Sequence, residues 1–478
     1  MNLKSKYDVV IIGSGASGSV IAYKMAKAGL STLVLEKGKF EDPTTFEHDE
    51  LAMYSRLYKN GGLQTSKDND ITFAQGQTVG GSTVINNAIW IRPNVSKVIN
   101  KWKSFGANIV EATLLDSYEF LESKLEISEL DRKVCNVGSD DFISACQRLG
   151  YKSRYLNNNR DKCIGCGWCN YGCRYNRKSS MLVTFIPWSQ KLGADIADLT
   201  KDLKINTANK RALSVSFHRE GTNYTIACEK LIVSAGAIGS SEVLLQNKIN
   251  PRNNTGKGFH CLGGFLTTGV LEKEVNGYDG IGLTCIADVS SDYLVETFFA
   301  PPGIFSGSVG GWFDEHFELM KSYKKMFQIG VMVGSEPTGR IKLSGNKAQI
   351  DFKFSKQDIA KMKEGLSNVS KILFEMGATK VIPASFKDII FNNVSDLSKI
   401  NKLFTGQDDF ILGSAHPQGG NRMSDDPKRG VVDSNFKVHG IDNMYVCDSS
   451  VFPYNIKANC QATVMSMANY FSDNLLNG

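Results

Sequence analysis

The sequence predicts an α/β chain in two parts: a Rossmann-like nucleotide-binding domain and a second, α+β domain with an antiparallel sheet. Three observations predict it. The chain opens with an apolar run, a glycine-rich turn and a second apolar run, in βαβ order. A second glycine-rich strand-to-helix crossing follows at residues 234–245. Between 327 and 354, short alternating segments separated by a turn read as antiparallel strands.

The first unit is the most specific. Tyr7–Ile12 is almost wholly apolar, as a buried parallel strand requires. Gly13-Ser-Gly15-Ala-Ser-Gly18 follows directly, then helical composition over 19–28, then a strand over 31–35 ending at Glu36. Gly13 permits the tight turn, Gly15 lets the backbone approach a pyrophosphate, and Gly18 permits close helix–strand packing. The helix N-terminus offers N–H groups and a positive dipole end to phosphate. Glu36 falls where an acid binds ribose hydroxyls and disfavours a 2′-phosphate. These features predict a bound dinucleotide but do not separate FAD from NAD.

Composition narrows the class. With 478 residues, two domains are the default. The chain is 42% hydrophobic and 22% charged, which is ordinary globular usage. The net charge of +6 is spread along the chain without a basic run, so nucleic acid is not expected as a partner. No apolar run reaches the roughly 18 residues of a membrane span. The first strand begins almost at the N-terminus, leading to the expectation of no secretory or twin-arginine leader and a cytoplasmic location.

Cysteine usage is distinctive. There are 11 cysteines, an odd number, and Cys163, Cys166, Cys169 and Cys173 fall in one short segment. That is not a disulfide framework. Spacings of two, two and three match the thiolate run of bacterial-type ferredoxins, so an iron–sulfur cluster is expected. Arg174 stands where that run normally has proline, and the fourth cysteine of such runs serves a second cluster in two-cluster ferredoxins. Both 4Fe–4S and 3Fe–4S therefore fit. Zinc and a metal-free cysteine loop are the alternatives; structural zinc usually pairs its CxxC units across a longer gap.

Three further blocks extend the pattern. They are Gly76-Gln-Thr-Val-Gly80-Gly81-Ser82 through Asn86 to Arg92, then Ser234-Ala-Gly236-Ala237 through Leu245, then His416-Pro-Gln-Gly through Asp448-Ser449 to Asn459. With the N-terminal fingerprint, and in this order, the chain resembles the glucose–methanol–choline (GMC) flavoprotein oxidoreductases. The resemblance implies FAD as the dinucleotide. It places Gly80, Gly81 and Ser82 against the flavin or pyrophosphate and Asn86 near the reactive edge of the isoalloxazine. It places Ala237, Asp448 and Ser449 among the cofactor contacts. Some sugar dehydrogenases of the family carry a cluster in a comparable cysteine segment, whose final spacing Cys169-x-x-x-Cys173 matches and whose earlier spacing differs.

The resemblance also assigns a catalytic pair. His416 falls at the family's catalytic histidine and Asn459 at its second active-site position, which is His or Asn. The chemistry needs these types. An alcohol becomes a hydride donor as its hydroxyl proton leaves, and a neutral imidazole takes that proton near neutral pH. An amide holds the substrate oxygen without titrating. The hydride passes to flavin N5. Tyr454 and Gln461 flank the pair as candidate contacts, His439 and His260 are expected to be structural, and His48 lies in a plausible region for a covalent flavin link.

The dispersed motifs imply a discontinuous FAD domain, 1–100, 201–264 and 411–478. A cap and iron–sulfur segment is expected at 101–200 and a substrate domain at 265–410. Residues 356–377 are expected to form a helix with Ile359, Met362, Leu366, Val369 and Ile372 on its apolar face. The aromatic segment 293–312 reads as a core strand plus loop, or more sharply as a substrate wall, lid or docking patch. The expected activity is FAD-dependent oxidation of a small-molecule alcohol, with a sugar, sugar acid or polyol favoured. A one-electron acceptor such as a ferredoxin or cytochrome is the expected partner. An oxygen-reducing oxidase of apolar or long-chain alcohols is the alternative, and an electron-transfer or redox-sensing flavoprotein without alcohol substrate is the alternative of another class.

Overall fold

A computed structural model describes residues 3–477. Its first sheet is built on the predicted N-terminal unit. Strand Lys6–Ile12 enters helix Ala16–Lys27, and strand Thr32–Leu35 returns parallel to the first. The strand order is Asp195–Ala197, Thr32–Leu35, Lys6–Ile12, Thr222–Val233, Arg211–Arg219 and Lys201–Ala208, with Met444–Val446 pairing Thr222–Val233. The first four, and Met444–Val446, run parallel. The hairpin strands 201–219 add an antiparallel edge. The buried parallel strands carry Val, Ile and Leu on both faces because helices or loops cover both.

The second sheet has ten strands and is antiparallel apart from one pair. Its centre is the long strand Lys257–Leu271, which pairs Met326–Gly334, Gly339–Ser344, Ala378–Pro383 and Leu412–Gly420 along its length. The hairpin Gly339–Ser344 and Lys347–Asp351 turns through Gly345, as the alternation predicts. The strand Leu412–Gly420 belongs to this sheet although it lies in sequence next to the C-terminal nucleotide-binding motifs, and Asp195–Ala197 belongs to the first sheet.

Helix Lys356–Glu375 covers the second sheet. Ser355 and Asp358 form a reciprocal capping box that satisfies two end N–H groups. Its buried face is the predicted one: Ile359, Met362, Leu366, Val369 and Ile372. Each such burial contributes roughly 1.5–3 kcal/mol. Gly365 lets the helix approach the sheet, since a Cβ there would stand 2.5 Å from Val331 Cγ1. Residues 95–191 add short helices, among them Val95–Lys103, Glu111–Lys124 and Gly138–Arg148, and the cysteine loop.

Candidate active site

The carboxyl ends of the parallel strands open into one large cavity of about 2120 Å³ that continues onto the second sheet. This is where an open α/β sheet binds ligands. Gly13, Gly15, Glu36, Gly81, Ser82, Asn86, Ala237, Asp448, Ser449, His416 and Asn459 all line it. Residues spread over most of the chain thus meet at one place.

The phosphate end is built by the glycine turn. Gly13 has φ +102°, and a Cβ there would stand 2.4 Å from Ser234 O. A Cβ on Gly18 would lie 1.9 Å from Gly13 O, so Gly18 serves helix–strand packing and does not face the cavity. Gly15 is different: nothing stands within 4 Å of its Cβ position. Its backbone borders open cavity at the start of helix Ala16–Lys27. The turn therefore fits the pyrophosphate of FAD, which would rest on Gly15 and the helix N-terminus. Gly80 departs from expectation. It lies behind the cavity wall, where a Cβ would meet Leu182 N at 2.8 Å, while Gly81 and Ser82 line the cavity.

Two acids expected at the cofactor have protein partners. Glu36 Oε2 accepts from Ser14 N at 3.0 Å and Ser14 Oγ at 2.7 Å, and Oε1 accepts from Gly38 N at 2.8 Å. Burial raises its carboxyl against these bonds. Asp448 Oδ2 accepts from Gly236 N at 2.9 Å and Ser240 Oγ at 2.5 Å. Asp448 thus caps helix Gly236–Gln246, a carboxylate at a positive helix end.

The reaction end lies over the second sheet. His416 sits in Leu412–Gly420, paired with Leu262, with its N–H held by Ser414 Oγ at 3.1 Å. Burial depresses its imidazole to about 4, so it is neutral near pH 7. Asn459 precedes helix Cys460–Asn477 and is buried. Its Nδ2 donates to Glu296 Oε2 at 3.4 Å, and its Oδ1 has no partner. Asn86 donates to Gln461 Oε1, and Gln461 donates to Asn159 Oδ1 at 3.2 Å. Gln461 therefore belongs to the site. Tyr454 does not line the cavity; its carbonyl accepts from Trp102 Nε1 at 3.0 Å. His439 and His260 hold backbone carbonyls, of Ser424 and Gly258, in line with structural roles. His48 lines the cavity and stacks on Trp168 at 4.7 Å.

Sequence reasoning missed Glu296. The segment 293–312 forms the buried strand Tyr293–Phe298 and the short helix Pro302–Ser306, and both border the cavity. A carboxylate inside the apolar run Tyr-Leu-Val-Glu-Thr-Phe was the available signal.

The four clustered cysteines line a second, small cavity and form no disulfide. Gly165, Gly167 and Gly172 have positive φ, which folds the loop around the sulfurs. Backbone N–H groups point at sulfur: Gly165 N to Cys163 Sγ at 3.5 Å and Arg177 N to Cys173 Sγ at 3.3 Å. Buried Arg160 donates to Cys169 Sγ at 3.4 Å, and its Nε and Nη1 have no partner. Burial pushes the Cys169 thiol up, but the Arg160 and Lys178 cations outweigh it and hold the thiol below its usual range. The expected ligands Cys163, Cys166, Cys169 and Cys173 surround one small cavity. Among the described residues no three His, Cys, Asp or Glu side chains are disposed around a single ion.

A βαβ nucleotide unit, His416 on the second sheet, Asn459 before the C-terminal helix and one cavity that joins them are the arrangement of a nucleotide-dependent oxidoreductase. Residues 8–46 match an FAD binding domain, and residues 54–262 and 335–468 match the GMC oxidoreductase family. The chain belongs to the GMC oxidoreductase family and is an FAD-dependent enzyme. An uncharacterised GMC-type oxidoreductase of Mycobacterium tuberculosis is 23% identical, over 97% of this chain and 75% of that protein. A long-chain-alcohol oxidase of Arabidopsis thaliana is 26% identical, over 98% of this chain and 67% of the relative. Among solved structures, pyridoxine 4-oxidase from Mesorbium loti superposes with a TM-score of 0.74 at 14% identity, covering 98% of this chain and 99% of that one. A formate oxidase structure superposes with a TM-score of 0.74 at 16% identity, covering 99% and 98%.

Proposed function

We propose that this chain is a dehydrogenase that oxidises a CH–OH group and releases the electrons singly to an external acceptor. The observation that carries the first half is the single cavity joining the glycine turn at Gly15 to His416 and Asn459. FAD, which Gly15 and the start of helix Ala16–Lys27 would hold, would supply the two-electron acceptor for the substrate's hydride. The chain's own residues prepare that event. The neutral His416 imidazole takes the hydroxyl proton, and Asn459 holds the substrate oxygen. Gln461 and Asn86 fix each other at the same end of the cavity.

The second half rests on the cysteine loop. A cube-shaped iron–sulfur cluster holds four thiolates at its corners, farther apart than a single ion does. The shared cavity, the N–H groups aimed at sulfur and the two orphaned Arg160 nitrogens suit an anionic group between Cys163, Cys166, Cys169 and Cys173. Such a cluster exchanges one electron at a time, which favours a ferredoxin or cytochrome as acceptor.

A sugar, sugar acid or polyol fits the polar groups Asn86, Asn459, Gln461 and Glu296 at the reaction end. A second reading has its own support. Leu266, Leu283, Phe298 and Met332 also line the cavity, and the Arabidopsis relative is a long-chain-alcohol oxidase. In that reading an apolar alcohol is oxidised with oxygen as acceptor.

Iron and acid-labile sulfide per flavin on anaerobically purified protein test the cluster. Anaerobic bleaching of the flavin by a panel of alcohols tests the substrate class. About three or four irons per flavin, slow peroxide formation and fast reduction of a one-electron dye support the dehydrogenase. Flavin without iron and rapid peroxide formation with a long-chain alcohol support the oxidase.

A further inference from the structure

Trp168 stands between Cys166 and Cys169 in the cysteine loop. It borders two cavities, the large one with the flavin site and the small one that the four cysteines surround. Among the described residues that line the small cavity, it alone also lines the large one. The two cavities therefore meet at one indole.

That indole is held in place. His48, which also lines the large cavity, stacks on it with ring centroids 4.7 Å apart and planes 6° from parallel. Tyr171 packs against it at 5.1 Å, and the Tyr171 hydroxyl donates to Glu50 Oε1 at 2.8 Å. The loop is tied to the segment that borders the flavin site. Asn170 Nδ2 donates to Ile85 O at 2.9 Å, and Ile85 and Asn86 both line the large cavity.

A seal between two cavities needs only apolar bulk, which a leucine supplies. A stacked indole supplies more. Electrons cross packed and covalently joined atoms far faster than empty space or water, and indole is the largest π-system among side chains. Trp168 reaches the cysteine side through one peptide bond to Cys169. It reaches the flavin side through its ring and the imidazole stacked on it.

We infer that Trp168, with His48 stacked on it, is the bridge by which electrons leave the flavin site for the cysteine pocket. The inference rests on the cluster reading of the loop and deepens it, by assigning the path between donor and acceptor. For each alcohol oxidised to a carbonyl, two electrons cross singly and two protons are released to water. Both electrons end on the external one-electron acceptor. No bond to Trp168 forms or breaks. His48 is a positioning residue that fixes the plane of the ring.

The test follows electron movement inside the holoenzyme and uses no alcohol. A light flash with EDTA as electron donor reduces the bound flavin. Absorbance then follows the flavin, and electron paramagnetic resonance of freeze-quenched samples follows the cluster. Iron, sulfide and flavin contents are measured first on each protein. Trp168→Leu keeps apolar bulk in the wall and removes the π-system. It should slow transfer from reduced flavin to cluster roughly tenfold or more. Trp168→Phe keeps a ring to stack on His48 and should recover part of that rate. A residue that only sealed the wall would leave transfer unchanged at equal iron content. Wild-type transfer in an iron-loaded Trp168→Leu protein therefore overturns the inference while the cluster reading stands. If Trp168→Leu does not retain iron, His48→Ala removes the stack from outside the loop and should also slow transfer; an unchanged rate there overturns the inference. Absence of iron and sulfide from the wild-type protein overturns the cluster reading, and the bridge with it.

Discussion

Lys178 donates from Nζ to the carbonyl oxygen of Cys169 at 2.7 Å. The same ammonium donates to Val84 O at 2.7 Å and Asn86 O at 2.8 Å. One buried cation therefore ties the cysteine loop to the segment that borders the flavin cavity. Burial presses it down to about 8, and its three carbonyl partners keep it hydrogen-bonded.

Lys178→Met should destabilise the holoenzyme strongly. Three buried carbonyls lose their donor, each at about 1–3 kcal/mol, so a loss of about 3 kcal/mol or more is expected. Urea unfolding followed by flavin and tryptophan fluorescence measures it. A loss below about 1 kcal/mol would mean that other donors replace the lysine.

Gly15 and Gly18 should separate in their effects. Gly15→Ala places a methyl in open cavity, so the fold should persist while FAD retention falls. Gly18→Ala forces a Cβ against Gly13 O at 1.9 Å and should lower both thermal stability and flavin content. Circular dichroism melting and flavin-to-protein absorbance ratios distinguish the two. Equal loss of stability in both would contradict the assignment of Gly15 to the phosphates.

His416 should act as a base over a wide pH range. Its imidazole, depressed to about 4, is deprotonated above that value and protonated below it. Flavin reduction by substrate should therefore hold steady towards acid and fall as pH drops through about 4. His416→Gln should slow that reduction by about 10²–10⁴-fold and lose this acid limb. Anaerobic stopped-flow absorbance follows both. Unchanged reduction in the variant would remove His416 from catalysis.

Glu296 should make stability depend on pH. Its folded pKa of about 7 lies above the ordinary 4.5. The unfolded carboxyl gives up its proton first as pH rises. The contribution of Glu296 is therefore fully present below about 4.5 and is lost as pH rises through about 7. His416 works in the opposite direction, since its folded pKa is depressed: its contribution is present above about 6.5 and is lost as pH falls through about 4. Subtracting Glu296→Gln from wild type isolates the carboxyl. Between pH of about 4 and about 8, wild type should lose on the order of 3 kcal/mol relative to the variant. A flat difference would show that the Glu296 carboxyl titrates alike in the folded and unfolded chain.

The elements with local signals were legible from the residues alone. The run Tyr7–Ile12, the glycine turn and the return strand ending at Glu36 are contiguous, and Gly13 and Gly18 answer steric demands of their neighbours. The helix Lys356–Glu375 was legible because its buried face repeats at helical period, and the cysteine loop because its spacing is short. His416 and Asn459 were legible through motif resemblance. The remaining features depend on strand register and burial, which arise only on folding. Glu296 reads in sequence as one acid in an apolar strand; it becomes a site residue because folding brings it to Asn459, 163 positions away. Gly80 and Gly81 are adjacent, yet one turns to the wall behind the cavity and the other into it. Arg160 and Lys178 show nothing in sequence of their burial beside Cys169. Desolvation and long-range pairing have no local period, so they become visible only when the sheets have closed over the cavity.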